Sequence, residues 1–223
     1  MKITFLGTGA ADWNMKDHGH MEGFRRNSSA LLDDCLLIDP NADVPNALSV
    51  FGKDAGKIKY IFNTHRHSDH FCQATVDSLE GAVFYPLAAG EEITVGKYTV
   101  KALRANHATC VDPTHLLISD GETRLFYGLD GAWLMYDEIA AIREHGVDLA
   151  VLDATIGDPG DFRIFEHNDL AMVLTMKAAM KGYVKRFCIS HMARTLHRPH
   201  AELASAMAEH DVIVAYDGFE MVI

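Results

Sequence analysis

The segment Asn63-Thr64-His65-Arg66-His67-Ser68-Asp69-His70 places three imidazoles and one carboxylate within six residues. Clustered imidazoles repel one another when protonated, and burying them without partners is costly. A divalent cation removes that conflict, because imidazole and carboxylate are good ligands for zinc, manganese or iron. His65 and His67 stand two residues apart, so on an extended or looped backbone their rings can point the same way. Asp69 and His70 fall where the next helix is expected to begin, which turns them toward a second point nearby. A solvated polar loop is the alternative, and the density of ligand-type residues argues against it.

These residues need elements to hold them. Residues 59–62 read as an apolar strand leading into the histidines, and residues 69–79 as a helix closed by Gly81. Before them, residues 2–6 form a strand, residues 12–27 a long loop, and residues 30–32 and 35–38 a hairpin across Asp33-Asp34. Residues 45–51 read as a short helix. Strands at 93–95 and 98–103 meet at Gly96-Lys97, and strands at 115–119 and 124–127 are expected to pair across Asp120-Gly121. The later chain alternates. Helices at 133–145, 169–180 and 200–209 separate strands at 149–153, 186–190 and 212–215. Strands first and strand–helix alternation afterwards predict two sheets with helices outside them, a four-layer αββα sandwich of the α/β class.

Composition bounds the alternatives. With 223 residues, 48% of them hydrophobic and 23% charged, the chain reads as one globular domain spanning 1–223. No apolar run is long enough to cross a bilayer and the opening residues do not read as a secretory signal, so the expected location is the cytoplasm. Cys35, Cys72, Cys110 and Cys188 lie far apart beside apolar neighbours and read as buried free thiols. A formal net charge of -11 opposes binding to a long nucleic acid.

The His-x-His-x-Asp-His pattern resembles the signature of the metallo-β-lactamase superfamily. That resemblance implies an αββα fold and two divalent metal ions per chain, manganese or zinc with iron a further option. It also implies a ligand set at successive strand ends. Asn106-His107 follows the 98–103 strand, and His107 would join His65 and His67. In Gly128-Leu129-Asp130-Gly131, Asp130 would bridge both ions. In Ile189-Ser190-His191, His191 would join Asp69 and His70. His145 and His210 sit at expected helix C-termini and read as structural. His115 reads as a strand residue, and His197 and His200 as part of the pocket rim. His18 and His20 lie in the long first loop, which reads as a lid or a further metal site.

A narrower resemblance rests on Phe165-Glu166-His167-Asn168-Asp169-Leu170, on His191, and on Val214-Ala215-Tyr216-Asp217-Gly218. Together these are similar to the phosphoribosyl 1,2-cyclic phosphate phosphodiesterases and their relatives. The resemblance implies a phosphodiesterase acting on a small cyclic or nucleotide-like substrate through water activated between the two ions. His167 would be the general acid, with Asp69 and Asp130 as the other catalytic residues and Asp153 or Asp169 orienting a histidine. The cysteine-rich, zinc-holding insertion of that family has no counterpart here. Arg25 and Arg26 could contact phosphate, although a solvated loop explains them as well. A homodimer with a small-molecule phosphodiester as partner, and no membrane, completes the expectation. The competing readings are a lactonase or ester hydrolase using the same ions, a tRNA-processing nuclease, a diiron oxidoreductase and a non-catalytic binding module. The nuclease lacks a basic tRNA-gripping arm, the oxidoreductase lacks a flavin domain, and the binding module would be expected to have lost ligands.

Overall fold

A computed structural model describes residues 1–223. In the first half, β1 (Lys2–Gly7), β2 (Ser29–Leu32) and β3 (Leu36–Ile38) are followed by α1 (Val44–Val50) and β4 (Tyr60–Phe62). Next come α2 (Gln73–Ser78), β5 (Val83–Phe84), β6 (Glu92–Val95), β7 (Tyr98–Arg104), β8 (Thr114–Ser119) and β9 (Arg124–Gly128). The second half runs α3 (Tyr136–His145), β10 (Val147–Asp153), α4 (Leu170–Ala179), β11 (Val184–Ser190), α5 (His200–Ala208), β12 (Val212–Val214) and β13 (Glu220–Val222). One sheet has the order β13-β1-β2-β3-β4-β5 and the other β12-β11-β10-β9-β8-β7-β6.

Alternation of side chains along the strands builds the layers. In β1 to β4, Ile3, Phe5, Ala30, Leu32, Leu36, Ile38 and Phe62 face the second sheet and meet Val100, Ala102, Leu116, Ile118, Leu125 and Tyr127. The alternate residues Leu31, Leu37 and Ile61 face outward and pack with Val44, Ala47 and Leu48 of α1. On the other side, Ala150, Leu152, Phe187 and Ile189 pack with α3, α4 and α5 through Ile142, Val173, Met176 and Leu203. The αββα sandwich is therefore present. No helix is long and apolar enough to cross a membrane.

Several local expectations change. The helix expected from residue 69 begins at Gln73, because Cys72 N–H bonds Pro40 C=O and the preceding residues form a turn on His67 C=O. Asp69 and His70 therefore sit on that turn. The hairpin between β8 and β9 has a four-residue loop, in which Asp120 accepts from the Glu122 and Thr123 N–H groups. All four cysteines are free, but only Cys188 is buried, and Cys35, Cys72 and Cys110 are half-buried.

The edge strand β13 closes the first sheet against β1. Lys53 ties it there, bonding Asp34 at 2.9 Å and pairing with Glu220, while Lys2 lies 3.2 Å from Asp34. The hydrogen bonds from Lys53 hold both carboxyls below their ordinary range. A depressed folded-state pKa contributes stability above the unfolded value and loses it as pH falls through the folded one. Partly exposed pairs are worth only ~0.2–1 kcal/mol each. Lys53→Met is expected to cost about 1 kcal/mol at pH 7, with the difference vanishing below about pH 3. Urea denaturation at the two pH values checks this.

Candidate metal centre

Strand ends supply the site. His65 follows β4, His107 follows β7, Asp130 follows β9, Asp153 ends β10 and His191 follows β11, all at one edge of the sandwich. Ligand crevices form where parallel strands end at their carboxyl side. The backbone turns sharply there. Asp39, Asp130 and His191 have φ of 58°, 59° and 62°, a left-handed conformation that Asp and His tolerate better than most residues. Three such residues lie together in this centre.

Asp130 is the hub. Its carboxylate lies 3.1 Å from His65 Nε2, 3.0 Å from His70 Nε2 and 3.0 Å from His191 Nε2. It is also 3.4 Å from His167 Nδ1 and 4.0 Å from His107 Nε2. Two sets of ligand atoms converge around it. His65, His67, His107 and Asp130 form one, and Asp69, His70, Asp130 and His191 form the other, with all atoms of a set within 4.8 Å of one another. The structure thus brings together all seven residues named as ligands from the sequence.

The donor chemistry fits divalent cations. His70 Nε2 and His191 Nε2 approach to 3.1 Å, and each lies within 3.5 Å of Asp69. The buried His65 Nε2, His107 Nδ1 and Asp130 Oδ1 make no hydrogen bond within the protein. The electrostatics of the site favour positive charge in the same way. Burial pulls His191 down, but Asp130 and Asp69 outweigh it and hold it up at about 10. Burial and repulsion by His70 push His65 down to about 4. Burial would raise Asp130, yet His191 and His70 keep its pKa far below the usual carboxylate range. Carboxylates that favour protons on neighbouring imidazoles equally favour a cation among them.

A supporting layer fixes the rings. Asp39 Oδ2 lies 2.9 Å from His70 Nδ1, and its Oδ1 accepts from the Thr64 N–H and hydroxyl. Thr155 Oγ1 lies 2.7 Å from His191 Nδ1. Such partners set the tautomer and orientation of a ligating histidine. Asn168 staples the loops, donating to Gly131 C=O and accepting from Trp133 N–H at 2.7 Å. The sequence reading missed Asp39, Thr64, Thr155 and Asn168 as site residues. Asp39 had a usable signal, since it too ends an apolar strand. The hydroxyls and the amide had none, because only folding brings them under the rings.

His167 stands at the mouth, with its side chain 14% exposed. Its Nδ1 lies 2.9 Å from Asp153 and 3.1 Å from Thr155 Oγ1. Burial lowers its pKa, but Asp153 and Asp130 more than compensate and the net shift is upward. Of the two candidate orienting acids, Asp153 takes the role, while Asp169 caps α4 by accepting from Met172 N–H. Glu166 accepts from Thr109 Oγ1, and its carboxylate converges with His107 and His167.

Other expectations are corrected. Arg25 and Arg26 are buried, not solvated. Arg25 donates to Thr8 Oγ1 and Ala215 C=O and lies 3.1 Å from His200 Nδ1, so its guanidinium is committed inside the fold. Burial lowers its pKa to about 10. Arg26 reaches Met15 and His18, which leaves neither arginine turned toward a phosphate. No cluster of metal-binding groups includes His18 or His20. His197 lies 2.7 Å from Ala154 C=O. His115 lies on β8, as expected, and forms a buried pair with Glu138 under the loop that follows Asp130.

Comparison with known proteins accords with this geometry. Residues 23–76, which contain the His-x-His-x-Asp-His segment, match the family model of the Metallo-beta-lactamase superfamily. No curated protein sequence matches the chain. Among solved structures, the metallo-beta-lactamase fold protein YhfI from Bacillus subtilis is similar at a TM-score of 0.75 and 17% identity, over 99% of this chain and 98% of that one. A diphosphatase from the PhnP family gives a TM-score of 0.74 at 17% identity, over 100% and 97%. Zn(2+)-bound PqqB from Methylobacterium extorquens gives 0.77 at 17% identity, over 100% of both chains. The chain therefore has the metallo-beta-lactamase fold and carries that superfamily's sequence signature between residues 23 and 76.

Proposed function

We propose that the protein is a dinuclear metal-dependent phosphodiesterase acting on a small cyclic or nucleotide-like phosphodiester. The observation that carries this reading is a protonatable His167, backed by Asp153 at 2.9 Å and set beside a seven-ligand centre bridged by Asp130. In this reading His65, His67 and His107 hold one ion, Asp69, His70 and His191 hold the other, and Asp130 is shared. Manganese and zinc both suit such nitrogen and oxygen donors. When bound, two cations lower the pKa of water and neutralise charge on phosphate oxygens.

The chain's own residues supply the rest. Asp130 fixes the spacing of the two ligand sets from a left-handed backbone position that Asn168 helps to hold. Asp39 and Thr155 orient His70 and His191 from behind. Asp153, Thr155 and Asp130 engage His167 Nδ1, which leaves Nε2 to give a proton to the departing alkoxide. The four free thiols suit a reducing compartment, so the reading places the enzyme in the cytoplasm.

The test is a substrate panel. Manganese-loaded protein is offered a ribose cyclic phosphate, bis(p-nitrophenyl) phosphate and a simple lactone. Turnover of the diesters is expected. Opening of the lactone alone would replace this reading with a lactonase.

A further inference from the structure

A groove of about 490 Å³ runs from His65 and His67 between residues 86–88 and 109–112. That volume is ample for a small-molecule substituent. Pro86, Leu87 and Val111 give it apolar walls, and Arg66 is its one lining cation apart from the histidines. Arg66 stands between two ligands of the metal centre, and its guanidinium makes no hydrogen bond or ion pair within the protein. It is nevertheless held in place. The guanidinium carbon lies 4.6 Å from the centroid of the Phe71 ring and 5.8 Å from that of Phe84, and the two rings pack at 5.4 Å. Stacking on an aromatic face orders a guanidinium while leaving its in-plane donors free. The one acidic residue lining the groove, Asp112, has Arg104 at 3.9 Å as a partner of its own.

Position adds direction. The His107 ring lies 5.0 Å from His67, which lines the groove, and 5.4 Å from His167, so His107 neighbours both the groove-lining histidine and the proposed general acid. In the phosphodiesterase reading the leaving group of an acyclic diester is directed to His167, and the substituent that stays on phosphorus is assigned to the groove beside His65 and His67.

We propose that Arg66 is the specificity-determining residue of an anion subsite in this groove, which takes a carboxylate or phosphate borne by the substituent that stays on phosphorus in an acyclic, nucleotide-like diester. The proposal rests on the phosphodiesterase reading for its orientation. A planar fork with free donors matches either oxyanion in a bidentate manner, and a neutral substituent gains no such contact. In a chain of formal net charge -11, a single ordered cation beside the site also draws anions to it over a short range.

Three p-nitrophenyl phosphodiesters test this, with the second alcohol a four-carbon chain ending in carboxylate, phosphate or neutral amide. The leaving group is constant, so kcat/KM reports the retained half. Calorimetry of the matching phosphomonoester products on metal-loaded protein reads binding without turnover. Both anionic forms are expected to exceed the amide by about tenfold in binding and in kcat/KM. That preference should collapse to within about twofold in Arg66→Met and be intermediate in Arg66→Lys, which keeps the charge and loses the fork. Preference for one anion over the other identifies the group. Equal binding of all three products, or a preference that persists in Arg66→Met, overturns the subsite. If products show the preference while no diester is cleaved, the subsite stands and the phosphodiesterase reading falls.

Discussion

Asp130→Asn is expected to lose both metal ions and to lower phosphodiester hydrolysis by ~10³-fold or more, since Lewis-acid stabilisation worth several kcal/mol goes with them. The expectation follows from the hub geometry. One carboxylate approaches His65, His70 and His191 within 3.1 Å, and it is the single residue common to both four-residue ligand sets. Asparagine keeps the shape and tolerates the left-handed backbone at φ 59°, so the fold should survive. What it removes is the charge. Loss of a supporting partner such as Asp39 typically costs ~10–100-fold in metal affinity. Loss of the bridge should exceed that at both positions at once. Metal content by mass spectrometry after gel filtration, beside circular dichroism, separates lost metal from lost structure. A variant that retains two ions and its rate would remove Asp130 from the centre.

His167→Ala is the second large effect, and it depends on the leaving group. General acid catalysis is worth ~10²–10⁴-fold where the departing oxygen is a poor leaving group. A ribose alkoxide is one, so cyclic phosphate turnover should fall by about that factor. p-Nitrophenolate leaves without a proton, and its ester should be cleaved within a few-fold of the parent rate. Both ions should remain, because His167 Nδ1 is engaged by Asp153 at 2.9 Å and belongs to neither main ligand set. Equal losses on both substrates accompanied by lost metal would make His167 a ligand instead. The convergence of His167 with His107 and Glu166, and with Asp130, Asp153 and His191, gives that outcome a structural basis.

Much of the architecture was legible because its signals are local. Two continuous apolar runs, residues 30–32 and 35–38, on either side of Asp33-Asp34 predict the hairpin, and their lack of polar alternation agrees with a sheet buried on both faces. His65, His67, Asp69 and His70 were legible as a dense run of ligand-type residues after an apolar strand, whereas His107, Asp130 and His191 were named through the superfamily resemblance, each beyond a strand end. Other features depend on contacts that a linear reading cannot see. The start of α2 shifts because Pro40 takes the Cys72 N–H, a bond across 32 residues. Strand β13 is short and half-exposed, and only its partner β1 and the Lys53 pairs define it. Arg25 and Arg26 read as a polar loop because nothing nearby shows that Thr8, Ala215 and Asp217 fold around them. Asp153 and Asp169 looked equivalent from the sequence. Burial beneath His167 distinguishes the first, and a helix start claims the second.

The dinuclear mechanism is tested most directly by counting metal and measuring hydrolysis on the same samples of wild type and Asp69→Ala. Asp69 lies 3.4 Å from His70 Nε2 and 3.5 Å from His191 Nε2, and it belongs to one ligand set only. Two ions per chain are expected in the wild type. One ion is expected in the variant, with cyclic phosphate hydrolysis reduced by at least ~10²-fold. Full activity with a single ion per chain would contradict the two-ion account.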